Sequence, residues 1–358
     1  MADTTLATAS QVQKWDAQFF AEYVRDSGFL PYMGKGTNAV IAVKHELASG
    51  GKTINIPLVS RLTGAGVTGS TALEGAEEAL GNYNHAISIN WKRNGVLLTK
   101  DQEHYSEMDM RRAARDQLQA WAMSGLRDDV IAALRSVNGV AYGSATASQL
   151  DAWLDDNTDR VFFGNTTVLA TTAPAGGATN DHSASLLTIA DTEKLSANIV
   201  SFAKLIAKRA NPIIRPMRVT GGREYYVMFV NSLAFRDLKI DLKTINADAR
   251  ERSVDSNPIF QDGDLIYDGV IVREIPEIPT LGAVGASSAI VSPVFLCGAQ
   301  AIGCAWGQEP RSKTDVRDYN FRYGVAIEEA RGVSKMVFND KDHGIVSGFV
   351  ATAAATVA

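Results

Sequence analysis

Two segments in the first third of the chain alternate between apolar and polar residues. One face of each segment is apolar, with Ile54, Ile56 and Leu58 in the first and Ile87, Ile89 and Trp91 in the second. A period of two is typical of β-strands, so the pattern predicts the two arms of a long β ribbon. Residues 61–83 between the arms exceed the usual length of a hairpin loop, which indicates a functional projection. An isolated two-stranded ribbon is marginally stable in water and needs a partner surface.

The first fifty residues contain an amphipathic segment. Apolar side chains recur there at helical spacing: Val12, Trp15, Phe19 and Tyr23. The stripe is compatible with an ordinary core helix and equally with a segment that lies on another part of the fold or on a second copy of the chain. Periodicity alone leaves both alternatives open.

A long helix is predicted after the ribbon. Ser106 followed by Asp109 resembles a capping box, and Asn138 with Gly139 supplies a stop signal. Apolar residues recur between them at steps of three to five: Met110, Ala114, Leu118, Trp121, Leu126, Val130, Leu134 and Val137. The predicted helix has about 32 residues and a length of about 48 Å at 1.5 Å per residue. A helix of that length serves as a structural spine.

The rest of the chain mixes helices and strands. Residues 140–187 are low in charge and rich in small residues, which favours an insertion of strands and loops. The later patterns predict a helix over 188–210, a strand over 225–230, a short helix that Ser232 caps and that runs through Leu238, strands over 269–274 and 291–297, and an extended run over 326–337. This order describes a compact α+β domain.

Residues 278–308 carry no charge, which on length alone is compatible with a membrane-spanning helix. Prolines, glycines and serines interrupt the run, so two buried strands joined by a loop are favoured and the chain is expected to be soluble. Apolar residues make up 46% of the chain and the net charge is −5, which suits a large core and disfavours sequence-specific binding to nucleic acid. Two cysteines and the absence of a secretory signal indicate folding in a reducing cytoplasm.

Gly64, Gly66 and Gly69 fit the dinucleotide-binding pattern G-x-G-x-x-G and follow a predicted strand. A nicotinamide site also requires a helix that starts at this turn and an acidic residue at the end of a second strand. Glycines 75 and 81 interrupt the following segment, so a flexible loop is the favoured interpretation. An NAD-dependent oxidoreductase that uses these three glycines remains the alternative function.

The other polar residues suggest no catalytic or metal site, and no cofactor is expected. The histidines are scattered and are interpreted as surface or ribbon residues: His45, His85, His104, His182 and His343. Cys297 and Cys304 are interpreted as small buried hydrophobic residues. Two acidic clusters are assigned to solvated loops: Asp151, Asp155, Asp156 and Asp159, and then Asp340 and Asp342. Alternating charges predict a salt-bridged helix face: Arg111, Arg112 and Arg115 with Glu107, Asp109 and Asp116.

Several strings, taken in order, resemble the Hong Kong 97-type capsid fold of tailed phages and, within it, the major capsid family named after coliphage N-four. The strings are EYVR at 22–25, YMG at 32–34, LTGAGVTG at 62–69, LEGAE at 73–77 and PVFLCGAQ at 293–300. The stretch through Arg322, Glu329, Arg331 and Lys335 is similar to the closing strands of such proteins. The resemblance covers nearly the whole chain.

The resemblance implies a division of the chain into named parts. These are an N-terminal arm at 1–50, an extended loop at 51–100, a peripheral domain at 101–186 and 305–345, an axial domain at 187–304 and a C-terminal tail at 346–358. The extended loop would lie over an adjacent subunit. The residues expected at intersubunit contacts are Trp15, Phe19, Ile54, Ile56, Gly64, Gly66, Gly69, Glu74, Ile87, Ile89 and Trp91.

The implied function is that of a non-enzymatic major capsid protein that self-assembles around the phage genome. Its expected partners are copies of itself in hexamers and pentamers, portal, scaffold and decoration proteins, and packaged double-stranded DNA bound non-specifically, with no membrane. Assembly would take place in the host cytoplasm and the product would be the virion capsid. An encapsulin-like compartment shell is a further alternative. Deletion of residues 61–83 is expected to leave a folded protein that forms no shells.

Overall fold

The computed structural model describes residues 28–70, 72–106, 109–166, 168–171, 177–219, 222–247 and 264–353. The chain folds into two compact units. Within the described residues, the first unit comprises 91–126 and 308–330, and the second comprises 28–90, 127–307 and 331–353. The apolar segment expected around Trp15 and Phe19 lies outside the described residues.

The described residues form six α-helices and sixteen β-strands. The helices are α1 Lys100–Tyr105, α2 Met110–Leu134, α3 Ala147–Asp156, α4 His182–Leu186, α5 Ala197–Arg209 and α6 Ser232–Ala247. The strands of the first half are β1 Met33–Gly34, β2 Ile41–Lys44, β3 Thr53–Val59, β4 Asn82–Ser88, β5 Asn90–Thr99, β6 Val161–Phe163, β7 Met217–Val219 and β8 Arg223–Val230. The later strands are β9 Asp264–Tyr267, β10 Val270–Glu274, β11 Val291–Cys297, β12 Ile302–Arg317, β13 Arg322–Lys335, β14 Val337–Phe338, β15 Lys341–Asp342 and β16 Ile345–Ala351.

A seven-stranded sheet forms the core of the second unit, in the order β6-β16-β11-β8-β10-β9 with β7 paired to β8. Every residue of β11 and β16 is buried, as expected for a sheet covered on both faces. Val294, Leu296, Val346 and Val350 face a cluster that includes α5 and α6. Alternate residues of the same two strands face a second cluster that includes α3 and α4: Val291, Phe349 and Ala351. The α+β class is therefore confirmed.

The charge-free run contains two strands, as predicted. Val291–Cys297 forms β11, and β12 begins at Ile302 after a short connection. Cys297 and Cys304 are both buried, and burial raises the pKa of the Cys297 thiol. In the described part of the chain, no helix has the length and hydropathy needed to cross a membrane.

The predicted spine helix is shorter than expected. Asp109, rather than Ser106, caps α2, because its carboxylate accepts a hydrogen bond of 3.0 Å from the backbone N–H of Arg112. Ser106 instead ends the separate helix α1. The helix ends at Leu134 because the chain turns back at Asn138, where Val137 and Val140 exchange backbone hydrogen bonds of 2.8 Å.

Other predicted helix ends also require correction. α5 begins at Ala197 instead of residue 188, because the Ser196 hydroxyl accepts a hydrogen bond from the Ile199 N–H. α6 continues well beyond Leu238, and its cap is Asn231 rather than the expected Ser232, because the side-chain oxygen of Asn231 accepts a hydrogen bond from the Ala234 N–H at 2.9 Å. The segment 140–187, expected to contain strands and loops, contains α3 and α4 as well as β6. Its apolar residues supply part of a core cluster, including Trp153, Leu154 and Phe163.

The acidic residues assigned to solvated loops include buried structural groups. The carboxylate of Asp342 accepts hydrogen bonds from Lys335 Nζ at 2.7 Å and from Trp153 Nε1 at 3.0 Å. Lys335 and Asp342 are each only 1% exposed, so they form a buried ion pair. Arg160, also buried, donates to the Asp342 carbonyl oxygen. The expectation fails because spacing along the chain does not reveal which cation a carboxylate meets after folding.

His182 is likewise a core residue and not a surface residue. Its ring lies within about 6 Å, centroid to centroid, of the rings of Tyr142, Phe163 and Phe349, at 5.7, 5.7 and 5.5 Å. Its backbone N–H donates to the buried carboxylate of Asp151 at 2.8 Å. Burial lowers the pKa of His182 to about 4. The imidazole is therefore neutral within the fold near pH 7.

The first unit contains β5 from Trp91 onward, α1, residues 110–126 of α2, residues 308–317 of β12 and residues 322–330 of β13. In the sheet order β1-β2-β12-β13-β5, β5 is an edge strand. Leu118 and Ala122 on α2 pack on Val325 and Ile327 of β13. The expected charged face of α2 is partly wrong, since Arg111 pairs with Glu103 of α1 and stacks on a tyrosine of β13.

Candidate assembly surfaces

The ribbon predicted from the alternating segments is present in the second unit. β3 and β4 pair antiparallel, with Ile54 opposite Ile87 and Leu58 opposite Tyr83. The apolar face packs on a cluster that includes Ala305, Met336 and Phe338 of the same chain. The base of the ribbon approaches β13 so closely that a Cβ at Gly332 would overlap the Ser88 carbonyl oxygen. The partner surface that the ribbon needs is thus supplied, near its base, by its own subunit.

This packing changes the interpretation of several candidate contact residues. Ile87 is 1% exposed and belongs to the core of its own subunit, contrary to the expectation of an intersubunit contact. Ile54, Ile56 and Ile89 are partly buried against the same cluster. Trp91 does not belong to the ribbon, because β4 ends at Ser88 and Trp91 is the second residue of a different strand, β5.

The loop beyond the ribbon exposes several apolar side chains of the second unit. Its described residues, 60–70 and 72–81, contain no helix or strand. Three of its leucines are largely exposed, Leu62 by 55%, Leu73 by 56% and Leu80 by 62%. Leu73 and Glu74 begin a tight turn closed by a 2.9 Å hydrogen bond from the Ala76 N–H to the Leu73 carbonyl oxygen. Gly75 takes the left-handed conformation that this turn requires, with φ of 84°.

The glycines of the dinucleotide pattern lie in this loop. Gly66 and Gly69 both have φ of 67°, a left-handed conformation that glycine adopts readily. A Cβ at either position would meet no other chain segment within 4 Å, so neither glycine is required for a close approach of the backbone. No helix follows them in the described residues before β4. The N–H of Gly64 donates to the carboxylate of Glu78 at 2.6 Å, where a phosphate would have to bind. The loop therefore does not have the structure of a dinucleotide-binding site, and the prediction of an oxidoreductase that uses these glycines is wrong.

Trp91 borders an open groove in the first unit. The groove is lined by Trp91, Arg93, Gln308, Lys313 and Glu328. Glu328 accepts a salt bridge from Lys313 at 2.5 Å and a hydrogen bond from Gln308 at 3.0 Å, and both interactions hold the pKa of Glu328 below its usual value. The indole of Trp91 is 60% exposed, so an aromatic surface lies beside these charges.

Sequence reasoning missed one exposed feature of the first unit, the tip of the β12–β13 hairpin. Asp318, Tyr319 and Asn320 all have positive φ, at 54°, 49° and 70°. Such conformations are uncommon for residues other than glycine. They leave Tyr319 fully exposed and Phe321 nearly half exposed. The only available signal was the Asp-Tyr-Asn sequence, since Asp and Asn tolerate left-handed conformations.

A family model described as phage capsid protein matches residues 3–356. The chain belongs to the phage capsid protein family. The major capsid protein of Pseudomonas phage KPP25 is 28% identical to this capsid protein over 390 aligned residues, which cover 97% of each chain. The Cyanophage Pam1 capsid asymmetric unit matches with 41% identity and a TM-score of 0.88, and the match covers 99% of this chain and 100% of that one. The capsid of Ralstonia phage GP4 matches over 100% of both chains with 20% identity and a TM-score of 0.71, which shows the fold.

These findings confirm the resemblance to the Hong Kong 97-type capsid fold and place this capsid protein in the virion shell. They support neither the oxidoreductase nor the encapsulin-like alternative. Among the described residues, no group of three or more His, Cys, Asp or Glu side chains is arranged to hold a metal ion.

Proposed function

We propose that this capsid protein is the major capsid protein of a tailed phage and that many copies of it form the icosahedral shell around the genome. The main support is the match of the whole chain, at a TM-score of 0.88, to a subunit of the Cyanophage Pam1 capsid. A single subunit also exposes large apolar side chains on both of its compact units, including Leu73, Leu80, Trp91 and Tyr319. Exposed apolar groups of this kind are typical of surfaces that other proteins cover.

The proposed parts of the subunit are the arm at 1–50, the extended loop at 51–100, the peripheral domain at 101–186 and 305–345, the axial domain at 187–304 and the tail at 346–358. Residues 187–304 belong to the second compact unit, which also contains residues 127–186 and 331–345 of the proposed peripheral domain. Residues 28–50 of the arm pack on their own subunit, where Phe29 contacts Phe229 at 4.8 Å between ring centroids. The proposed contact of the arm with a neighbouring subunit therefore concerns the residues before 28.

The exposed loop and the groove beside Trp91 are the proposed contacts between subunits. Burying one large apolar side chain contributes about 1.5 to 3 kcal/mol, so a few such contacts give a weak pairwise interface. Interfaces that repeat by a closing rotation give rings, here pentamers and hexamers. Closure then links the contacts and raises their effective concentration, so that the shell is stable although each contact is weak.

Further partners belong to the same proposal. Portal, scaffold and decoration proteins would bind the shell, and packaged double-stranded DNA would contact it without sequence preference. The net charge of −5 is consistent with weak and non-specific contact with DNA. Assembly in the host cytoplasm is consistent with two buried cysteines that form no disulfide. The protein would act as a structural subunit and not as an enzyme.

Expression of the chain in a bacterial host, followed by gradient sedimentation and negative-stain electron microscopy, tests the proposal. Closed shells, or rings of five and six subunits, are expected. A chain that stays monomeric at high concentration, both alone and with the neighbouring head proteins of its genome, would refute the proposed function.

A loop replacement separates assembly from folding. The Ser60 N–H donates to the Gly81 carbonyl oxygen at 2.9 Å, so the strands can be rejoined there by a two-residue turn. Asn-Gly favours such two-residue turns, so replacement of residues 61–80 by Asn-Gly should preserve the ribbon and the melting temperature of the subunit. The variant should form no shells. A second variant with a Gly/Ser loop of the original length tests whether the loop's side chains, rather than its length, are needed. Shells of normal size from both variants would show that the loop is dispensable.

A further inference from the structure

One carboxylate joins the two limbs of the exposed loop. Glu78 accepts hydrogen bonds from the Thr63 N–H at 2.8 and 3.0 Å, from the Thr63 hydroxyl at 3.1 Å and from the Gly64 N–H at 2.6 Å. Thr63 and Glu78 are 15 residues apart in the sequence. The carboxylate therefore closes a long loop at its base, beyond the last strand pair of the ribbon.

The local chemistry requires an ionised carboxylate. Both oxygens of Glu78 act as acceptors, and a protonated acid or an amide would present a donor to one of these N–H groups. The hydrogen bonds from Thr63 and Gly64 lower the pKa of Glu78, so the charged form is present at neutral pH. Arg61, Glu74 and Glu77 are the other charged residues of this loop. The Glu77 carboxylate accepts a separate hydrogen bond from the Gly75 N–H at 2.8 Å.

Within the region that Glu78 closes, the described hydrogen bonds of the backbone are confined to the turn at residues 73–77. Gly64, Gly66, Gly69 and Gly75 lie in this region, and a Cβ at any of the last three would meet no atom of the neighbouring chain segments within 4 Å. An open loop with this many glycines samples many conformations, and ordering it on contact with a neighbour lowers the free energy gained from that contact. A preformed loop base removes part of this loss before the subunits meet.

We propose that Glu78 is a positioning residue for assembly, which holds the loop base in one conformation so that Leu73 and its neighbours meet a second copy of the chain. The inference rests on the proposed function. It predicts that loss of the carboxylate slows assembly while the fold of the subunit is unchanged. Glu78 itself does not have to touch the neighbouring subunit.

Glu78→Gln tests the requirement for the charge with little change of shape. Its assembly rate, followed by light scattering at pH 7.5, should fall at least tenfold relative to the wild type. Its melting temperature should not change, and hydrogen exchange at residues 62–80 should rise. Asp191→Asn is the matched control, because the Asp191 side chain is 69% exposed outside the loop and the change removes the same charge.

A covalent replacement of the closure provides a rescue. A Cβ built at Gly64 lies 3.9 Å from the Glu78 Cβ, within the range of a disulfide, and the two native cysteines are buried. Gly64→Cys with Glu78→Cys should assemble like Glu78→Gln under reducing conditions and recover most of the wild-type rate once oxidised. Glu78→Cys alone should not recover on oxidation.

The outcomes separate the two proposals. If the wild type forms shells and Glu78→Gln assembles at the same rate, the inference is wrong and the proposed function stands. Failure of the oxidised double variant to recover, with its disulfide verified by mass, also overturns the inference. A wild type that never assembles overturns both proposals.

Discussion

The neutral histidine inside the aromatic cluster makes a quantitative prediction about acid stability. We expect His182→Phe to remove a large part of the loss of subunit stability between pH 7 and pH 4. His182 is 1% exposed, and the cluster around it consists mainly of aromatic rings. Phenylalanine preserves most of the ring contacts and cannot take up a proton.

The magnitude follows from the difference between the folded and unfolded pKa. Burial lowers the pKa of His182 from 6.5 to about 4. Between these values the unfolded chain binds a proton that the folded chain does not, so stability is fully present above pH 6.5 and is lost as the pH falls towards 4. At 1.36 kcal/mol per pKa unit, the loss attributable to this group is about 3 kcal/mol. His85 and His343, whose pKa values burial also lowers, contribute in the same direction but remain in both proteins.

Urea unfolding of unassembled subunits, followed by tryptophan fluorescence between pH 4 and pH 7.5, measures this difference. The wild type should lose about 3 kcal/mol more than His182→Phe over this range. The exposed His104 supplies the control, since His104→Phe should keep the pH dependence of the wild type. Equal pH dependence of the wild type and His182→Phe would refute the argument that a buried neutral imidazole limits acid stability.

Two further predictions concern the core of the second unit. Lys335→Met leaves the Asp342 carboxylate buried without its ammonium partner and should lower the free energy of unfolding by about 3 to 5 kcal/mol. The control Arg317→Met removes an exposed ion pair and should change the free energy of unfolding by less than about 1 kcal/mol. Similar urea midpoints for the two variants would contradict this prediction. Gly332→Ala forces a Cβ against the Ser88 carbonyl oxygen and should cost about 1 to 3 kcal/mol by displacing the base of the ribbon. An unchanged melting temperature would show that the ribbon does not dock there.

The elements that were predicted well are those whose pattern is local. The ribbon follows from alternation alone, and its register of Ile54 opposite Ile87 places the apolar residues of both arms on one face. The strand at 291–297 matches β11, because a short apolar run that ends at a glycine, Gly298, suits a fully buried strand. The resemblance to phage capsids, carried by the order of several short strings, was confirmed by the family match over almost the whole chain.

The incorrect predictions concern structural roles, such as a helix cap, that more than one residue of the sequence could fill. Ser106 and Asp109 are both good helix caps, and only the hydrogen bond from Arg112 identifies Asp109. The carboxylates of Glu78 and Asp342 look alike in the sequence. One closes an exposed loop, and the other is buried beside Lys335.

By itself, the sequence determined the class of fold, the ribbon with its long loop, and the family. These depend on hydrophobic periodicity and on short strings, which are properties of neighbouring residues. The tertiary structure decided which polar groups are buried, which partner each one meets, and which apolar residues are left for other subunits. Ile87 and Leu73 show the difference, because both are apolar residues near the same ribbon, but one is covered by its own subunit and the other is exposed. Burial depends on contacts between residues distant in the sequence, and no local pattern contains that information.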